Sequence, residues 1–192
     1  MDTTSDEAWF TELVRAHHVA LRAYVGRRVG PGDVDDIVAE VLAAAWRHRN
    51  QRPPTPELWL YRTAWNALLH QFRSQRRRDR LIARLAQIPT ATSGQDAVAA
   101  ESEAADTVRS CMAQLATDDQ ELLRLTYWEQ LTTAEAAYIV GGSPAAVRVR
   151  LHRARRRLAA LLPEWLDPPG THSSASPADH LEVSATTSGA SS

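Results

Sequence analysis

The chain has 192 residues, a length that suits one medium domain or two small ones. It carries 22 basic residues, all arginine, against 23 acidic ones, for a net charge of −1. Its single cysteine excludes an intramolecular disulfide and a CxxC zinc or redox site, and no apolar run is long enough to cross a membrane. The acidic N-terminus lacks the basic and apolar regions of a signal peptide, so we expect a cytoplasmic protein.

The near-neutral total conceals a strong segregation of charge along the chain. Residues 47–84 carry ten arginines and two acids, and residues 148–162 carry six arginines and no acid. The segments 1–46, 85–147 and 163–192 are each net acidic. Two separate arginine-rich blocks on one chain predict two contacts with a polyanion.

Three amphipathic helices are predicted in the N-terminal part. Residues 9–25 have apolar side chains at steps of three and four, which is typical of one helix face. A second helix is expected after a Gly-Pro-Gly turn, with Asp33 or Asp35 as its cap. A proline-rich loop over residues 48–56 then precedes a third helix. The apolar face of that helix comprises Leu58, Tyr61, Trp65, Leu68 and Phe72.

Residues 131–162 carry the pattern of a helix-turn-helix. Thr132 and Glu135 fit a capping box at the start of a short helix. Two glycines form the turn that follows, and Ser143 can cap a second, basic helix with proline at its first position. The core-facing stripe of this last helix is predicted to be Val147, Leu151, Ala154, Leu158 and Leu161.

Two segments lack helical periodicity. Residues 85–106 combine proline, threonine, serine and glycine with acidic residues, which predicts a flexible linker that can end in a short helix. In residues 163–192, 20 of the 30 residues are Ser, Thr, Pro, Gly or Ala, which predicts a disordered tail. The fold class is therefore predicted as all-α, with two small helical domains at residues 5–84 and 107–162.

The face of the last helix opposite its apolar stripe is predicted to contact DNA. Arginine side chains there can bind phosphates or guanine edges in the major groove. A solvated helix face is the competing interpretation, but six arginines without an acid disfavour it. The outward residues are Ala145, Arg148, Val149, His152, Arg153 and Arg156. Arg150, Arg155 and Arg157 lie on the flanks and serve either phosphates or structure.

Aromatic residues interleave with arginines in the first basic block, a combination that suits unstacked bases. Tyr61, Trp65 and Phe72 share the apolar stripe, so we expect them in the core. Trp59 lies off that stripe and is a candidate base platform or interdomain contact. No metal-ligand spacing, phosphate loop or hydrolase motif occurs, so we expect neither an enzyme nor a cofactor.

Three segments resemble the extracytoplasmic-function (ECF) sigma factors, the small two-domain specificity subunits of bacterial RNA polymerase. The first segment resembles region 4.2 of that family and reads LTTAEAAYIVGGSPAAVRVRLHRARRR, at residues 131–157. The second segment is similar to region 2.2 and reads DVDDIVAEVLAAAWRH, at residues 33–48. The third resembles region 2.3/2.4 and reads WLYRTAWN, at residues 59–66. The chain departs from the family pattern at Trp65, where arginine is usual, and at His70 and Val149, where aspartate and serine are common.

The resemblance implies a role for each matched segment. Residues 5–84 would be sigma region 2, and residues 107–162 would be sigma region 4. The partners would be promoter DNA, an anti-sigma factor and core RNA polymerase, which would be contacted through its beta-prime clamp and its beta flap. Contact with the minus-35 element would involve Ser143, Ala145, Arg148, Val149, His152, Arg153 and Arg156. Contact with the minus-10 element would involve Asn50, Gln51, Trp59, Arg62, Asn66, His70 and Arg73. Docking on core polymerase would involve Asp36, Ile37, Val38, Glu40 and Val41.

Two other functions stay open from the sequence alone. One is a stand-alone helix-turn-helix regulator that binds duplex operators without polymerase, and the other is an arginine-rich RNA-binding module. A regulator's N-terminal domain would need an effector pocket or a dimer interface. Here it carries an acidic helix followed by a basic, aromatic one, which favours a sigma factor.

Overall fold

The computed structural model describes residues 3–86 and 103–163, and all the regular secondary structure in these two ranges is α-helical. The predicted all-α class is thereby confirmed. The predicted tail lies outside the described residues except for Pro163, and so does most of the predicted linker. The helices are α1 (Thr3–Gly26), α2 (Pro31–Arg47), α3 (Pro56–Ala86), α4 (Glu103–Ala113), α5 (Thr117–Tyr127), α6 (Thr133–Val140) and α7 (Pro144–Ala159).

Helices α1, α2 and α3 form the N-terminal domain by packing their apolar faces together. The predicted stripe of α3 points into this core, with Tyr61, Trp65 and Leu68 buried and Leu58 and Phe72 half-buried at its ends. Burial of these large side chains supplies the hydrophobic free energy that holds the three helices together. The core interpretation of Tyr61 and Trp65 is therefore confirmed.

The start of α2 differs from the prediction. Gly30, with extended backbone at φ −65° and ψ 158°, occupies the cap position, and Pro31 opens the helix. No side chain caps the helix, so the expected caps Asp33 and Asp35 are wrong. Asp33 instead lies in the first turn, where its charge favours the helix dipole. Asp35 forms an ion pair with Arg22 of α1.

The C-terminal domain contains the predicted helix-turn-helix in α6 and α7. Gly141 and Gly142 have φ values of 81° and 111°, a region that non-glycine residues rarely adopt, which explains the glycine pair in the turn. In α7 the stripe is buried at Val147, Leu151 and Ala154 and half-buried at Leu158. Its last predicted member, Leu161, lies past the end of α7 and is 38% exposed. The apolar periodicity of the sequence therefore extends beyond the last residue of the helix. The domain also includes α4, whose start at Glu103 places the proposed boundary at 107 inside a helix.

The capping box at the start of α6 is present as predicted. The Thr132 hydroxyl accepts from the Glu135 backbone N–H at 3.3 Å, and a Glu135 carboxylate oxygen accepts from the Thr132 N–H at 2.8 Å. The Thr132 hydroxyl also donates to the same carboxylate. These bonds from the Thr132 side chain and backbone lower the pKa of Glu135, because they stabilise its ionised form.

We expect Thr132→Ala to destabilise the C-terminal domain by about 1 kcal/mol, the usual cost of a lost N-cap. Thermal unfolding at neutral pH measures the change. Thr133→Ala, one residue inside the helix, is the matched control and should cost distinctly less. If the two variants melted alike, the cap would contribute nothing of its own.

The same box predicts a pH dependence. Because the pKa of Glu135 is lowered on folding, its carboxylate contributes stability above its ordinary pKa, and the contribution disappears as pH falls through the folded value. The difference in melting temperature between wild type and Glu135→Ala should therefore shrink on acidification. A difference that stayed constant would contradict this account.

Candidate nucleic-acid and polymerase interfaces

The exposed face of α7 is the basic surface of the C-terminal domain. All the predicted outward residues are exposed: Ala145, Arg148, Val149, His152, Arg153 and Arg156. Val149 is 51% exposed, although it is apolar. Ser143 is exposed as well, and its hydroxyl accepts the Ala146 N–H at 3.2 Å, so it serves as the helix cap. This geometry leaves one face of a helix open for entry into a major groove.

The three flanking arginines have structural contacts. Arg150 donates to the Asp118 carboxylate at 2.9 Å, and Arg157 forms an ion pair with Asp119. The Arg155 guanidinium lies 5.5 Å from the centroid of the Tyr127 ring. The two aspartates at the start of α5 thus offset part of the positive charge of α7. The helical periodicity of the sequence could not indicate these contacts, because they join two different helices. Within residues 3–86 and 103–163, Arg148, Arg153 and Arg156 have no acidic partner.

A second basic surface runs along α3. Its predicted residues are Arg62, Asn66, His70 and Arg73, which are all exposed. They follow one another at steps of four, four and three, so they lie within about 80° of one another around the helix. Asn50 and Gln51 are exposed in the loop that precedes α3. The structure therefore keeps all six residues accessible to solvent or to a partner. The Arg62 guanidinium also lies 5.0 Å from the centroid of the Tyr138 ring of α6.

A cavity of about 180 Å³ lies beside this surface, between the N-terminal part of α1, the end of α2 and the start of α3. The rings of His48 and Trp59 are 5.9 Å apart at its edge. An apolar cavity of about 150 Å³ accommodates a benzene-sized ring, so this one has room for a flat aromatic group. Gln51 and Trp59 were predicted as contacts for the minus-10 strand, whereas the rest of the wall was not. Trp9 is distant along the chain, and no motif marks His48 or Pro53. The lining residues are Trp9, Ala45, His48, Gln51, Pro53 and Trp59.

The predicted polymerase-docking segment of α2 divides between the surface and the core. Asp36 and Glu40 are exposed on the same helix face. Ile37, Val38 and Val41 are buried against α1 and α3, so they cannot form an exposed docking surface, and the prediction is corrected for these three. The acidic surface of α2 is therefore defined by Asp36 and Glu40.

Comparison with known proteins decides the family. The model of sigma-70 region 2 matches residues 13–78, and that of sigma-70, region 4 matches residues 105–158. The RNA polymerase sigma factor CnrH of Cupriavidus metallidurans is 34% identical over 166 residues, covering 80% of this chain and 86% of CnrH. The chain belongs to the ECF sigma factors of the sigma-70 family. Another relative, the ECF sigma factor SigL of Mycobacterium tuberculosis, is 27% identical, covering 83% of this sigma factor and 92% of SigL.

Solved structures agree with this assignment. CnrH in complex with the cytosolic domain of CnrY is 29% identical and covers 79% of this sigma factor and 86% of that chain, with a TM-score of 0.55. The sigma factor RpoE of Bartonella quintana, in complex with the anti-sigma factor NepR, is 22% identical and covers 79% of this chain and 95% of that one. Its TM-score of 0.60 shows a shared fold.

Membership of this family settles the general function. The protein is an RNA polymerase sigma factor that directs promoter-specific transcription initiation, and the stand-alone regulator is not favoured. Sigma factors are regulatory rather than catalytic subunits. In the part of the chain that the structure describes, no helix is both long and apolar enough to cross a membrane.

Proposed function

We propose that this sigma factor uses three separate surfaces, one for each element of the initiation complex. The exposed face of α7 reads the minus-35 element, the basic surface of α3 holds the minus-10 strand, and the acidic surface of α2 docks on the clamp of core polymerase. Region 2 comprises residues 5–84, and region 4 comprises residues 107–162. Residues 85–106 act as the linker between them, and residues 163–192 act as the tail. The protein works in the cytoplasm and has no catalytic activity of its own. The observation that supports the proposal is the placement of two basic surfaces and one acidic surface on different helices.

The cavity beside α3 supports a role in holding an unpaired base. Trp9 and Trp59 provide aromatic faces for stacking, and the amide of Gln51 can both donate to and accept from a base edge. The neighbouring stripe from Arg62 to Arg73 follows the helix and would track the phosphate backbone. Aromatic platforms beside arginines are the usual means by which proteins hold single strands.

The relatives also support a protein partner. CnrH, at 29% identity to this chain, was solved in complex with the cytosolic domain of CnrY. We infer that an anti-sigma factor likewise binds this protein and competes with core polymerase. The flap of the beta subunit is the further polymerase contact, made by the C-terminal domain.

The docking role of α2 is tested by the double variant Asp36→Ala with Glu40→Ala. Two exposed like charges four residues apart are slightly unfavourable in the free helix, and a basic partner surface would relieve that repulsion. We expect the variant to keep its fold and to bind core polymerase about tenfold more weakly at low salt, with a smaller loss at high salt. Affinity for core enzyme at two salt concentrations, beside a thermal melt, is the measurement.

A charge-matched control is available on α1. Glu7 and Glu12 are exposed on the same domain, so Glu7→Ala with Glu12→Ala removes the same charge at another place. This control should bind core polymerase like wild type. If both double variants lost affinity equally, general charge rather than the α2 surface would be responsible. If neither lost any at low salt, α2 would not be the docking surface.

A further inference from the structure

One arginine ties the loop between α2 and α3, residues 48–55, to the first turns of α1. Arg52 Nη2 donates to the Ser5 hydroxyl at 2.8 Å and to the Asp6 carboxylate at 3.0 Å. The two acceptors lie 47 and 46 residues before Arg52, so the bonds join segments that are distant along the chain. We call Ser5, Asp6 and Arg52 the loop clamp.

The backbone of Arg52 has a conformation that arginine rarely adopts. Its φ is 37°, on the left-handed side that glycine, asparagine and aspartate populate more readily. Such a conformation persists only where surrounding contacts impose it, and such positions concentrate at sites that bind ligands. The bonds from the Arg52 side chain to α1 are contacts of this kind, because they hold the residue from outside the loop.

The clamp lies directly beside the cavity that we assign to an unpaired base. The neighbours of Arg52 in the chain, Gln51 and Pro53, both line that cavity. Trp9 lines it from α1 and is three residues after Asp6, so the two side chains share one face of the helix. The clamp therefore fixes the position of Gln51 and Pro53 relative to Trp9, and with it the width of the cavity.

The clamp is suited to positioning rather than to stability. The side chains of Arg52 and Asp6 keep 44% and 17% of their surface exposed, and ion pairs that water reaches contribute little to the free energy of unfolding. A loop that is already held in its binding conformation, however, loses less freedom when a base enters. Loss of the clamp should therefore affect the binding of a base much more than the melting temperature.

We propose that the loop clamp is a positioning device for the base cavity, through which the first turns of α1 set the preference of this sigma factor for one base of the minus-10 strand. These turns precede residue 13, where the match to sigma-70 region 2 begins, so the role is additional to those of the matched segment. Arg52 acts through Gln51 and Pro53 rather than by touching the base. The inference rests on the proposed role of the cavity.

The base preference of the holoenzyme tests the clamp. Run-off transcription with core polymerase, from a promoter library randomised over the minus-10 region, gives the yield for each base at each position. We expect Asp6→Ala and Arg52→Ala to reduce the preference at one and the same position on the order of tenfold, because a loop residue must then be ordered on binding. The other minus-10 positions should keep their preferences, and the melting temperature should change little. Unchanged preference in both variants would overturn the proposal.

The sign of the Asp6 effect distinguishes positioning from a direct contact between Arg52 and a phosphate. Asp6→Ala removes a negative charge, so on electrostatic grounds alone it would strengthen binding to DNA. A less selective Asp6→Ala supports the clamp, whereas tighter binding with the selectivity of wild type would overturn it. Glu7→Ala removes the same charge from the next, exposed position of α1 and should keep the wild-type preference.

Reversal of the ion pair provides a rescue. Asp6→Arg with Arg52→Asp exchanges the two charges, and aspartate tolerates the left-handed backbone at position 52. We expect this double variant to recover base preference, although it lacks the arginine of the loop. If it were as unselective as Arg52→Ala at an unchanged melting temperature, the arginine itself rather than the pair would be responsible, and the proposal would fail.

Amide hydrogen exchange of the free protein measures the clamp without DNA. In the wild-type loop the Gln51 N–H donates to the His48 carbonyl at 2.9 Å. Both alanine variants should exchange residues 48–55 about tenfold faster, while the buried turns of α2 and α3 exchange like wild type. Equal exchange in the loop would show that Arg52 does not hold it, and would overturn the proposal.

Trp59→Ala, measured with the same promoter library, separates this inference from the proposed role of the cavity. If Trp59→Ala loses the preference at one position while Asp6→Ala and Arg52→Ala keep it, the cavity binds a base and only the clamp fails. If all three variants keep the preference, the proposed role of the cavity fails, and the inference fails with it. Loss at the same position in all three supports both.

Discussion

Replacing Trp65 with alanine is expected to cost the N-terminal domain about 3–5 kcal/mol, while Trp59→Ala leaves it folded. The two tryptophans are six residues apart on α3 but have different surroundings. Trp65 is 2% exposed within the core, so its loss removes a large buried surface and leaves a cavity. Trp59 is half-buried at the edge of the cavity that we assign to an unpaired base.

Two measurements on the same pair of variants test this contrast. Urea unfolding should show the large loss for Trp65→Ala and a distinctly smaller one for Trp59→Ala. Promoter opening with core polymerase should be weakened in folded Trp59→Ala by about 1–3 kcal/mol, the usual contribution of a stacked base. If Trp59→Ala opened promoters like wild type, the cavity would have no part in strand binding. Equal destabilisation by the two changes would contradict the core assignment of Trp65.

Features that depend on neighbours in the sequence could be predicted. The capping box of Thr132 and Glu135, the Ser143 cap and the glycine turn were all predicted correctly, because each is set by contacts within a few residues. The burial of Val147, Leu151 and Ala154 follows equally from the helical period.

Assignments based on a contiguous motif were less accurate. The segment of α2 assigned to polymerase docking contains both faces of one helix, so three of its five residues proved to be core. The same helical period that predicted α7 could have separated Asp36 and Glu40 from Ile37 and Val41. The family resemblance identifies the segment, but the period determines which side of it a partner can reach.

Contacts between the domains could not be predicted at all. Arg28 and Glu121 form a buried ion pair but are 93 residues apart, and nothing in their local sequence distinguishes them from ordinary surface charges. The sequence indicated two small helical domains, whereas the buried apolar residues of both domains form one continuous cluster. Similarly, the pairing of Arg150 and Arg157 with the two aspartates of α5 depends on how helices pack.

Because Arg150 and Arg157 are paired with aspartates, Arg153 is a better residue for a test of minus-35 recognition. Arg153 is exposed and, unlike Arg150 and Arg157, has no acidic partner in the described parts of the chain. Its guanidinium is therefore available for a bidentate bond to guanine or for a phosphate. Arg153→Ala should leave the melting temperature unchanged, since no structural contact is lost.

We expect Arg153→Ala to weaken initiation at promoters that depend on the minus-35 element by about 1–3 kcal/mol, or roughly five- to 150-fold. Run-off transcription with core polymerase, alongside an upstream footprint, measures the effect. Arg109→Ala removes the same charge from α4, a different helix of the C-terminal domain, so it should initiate like wild type.

A further comparison distinguishes a base contact from a phosphate contact. If Arg153 binds a base edge, the variant should lose discrimination at one position of a minus-35 library while other positions keep theirs. If it binds a phosphate, affinity should fall evenly across the library and the salt dependence should become shallower. A normal footprint combined with a lowered melting temperature would instead show that Arg153 stabilises α7, and the outward face would have to be assigned without it.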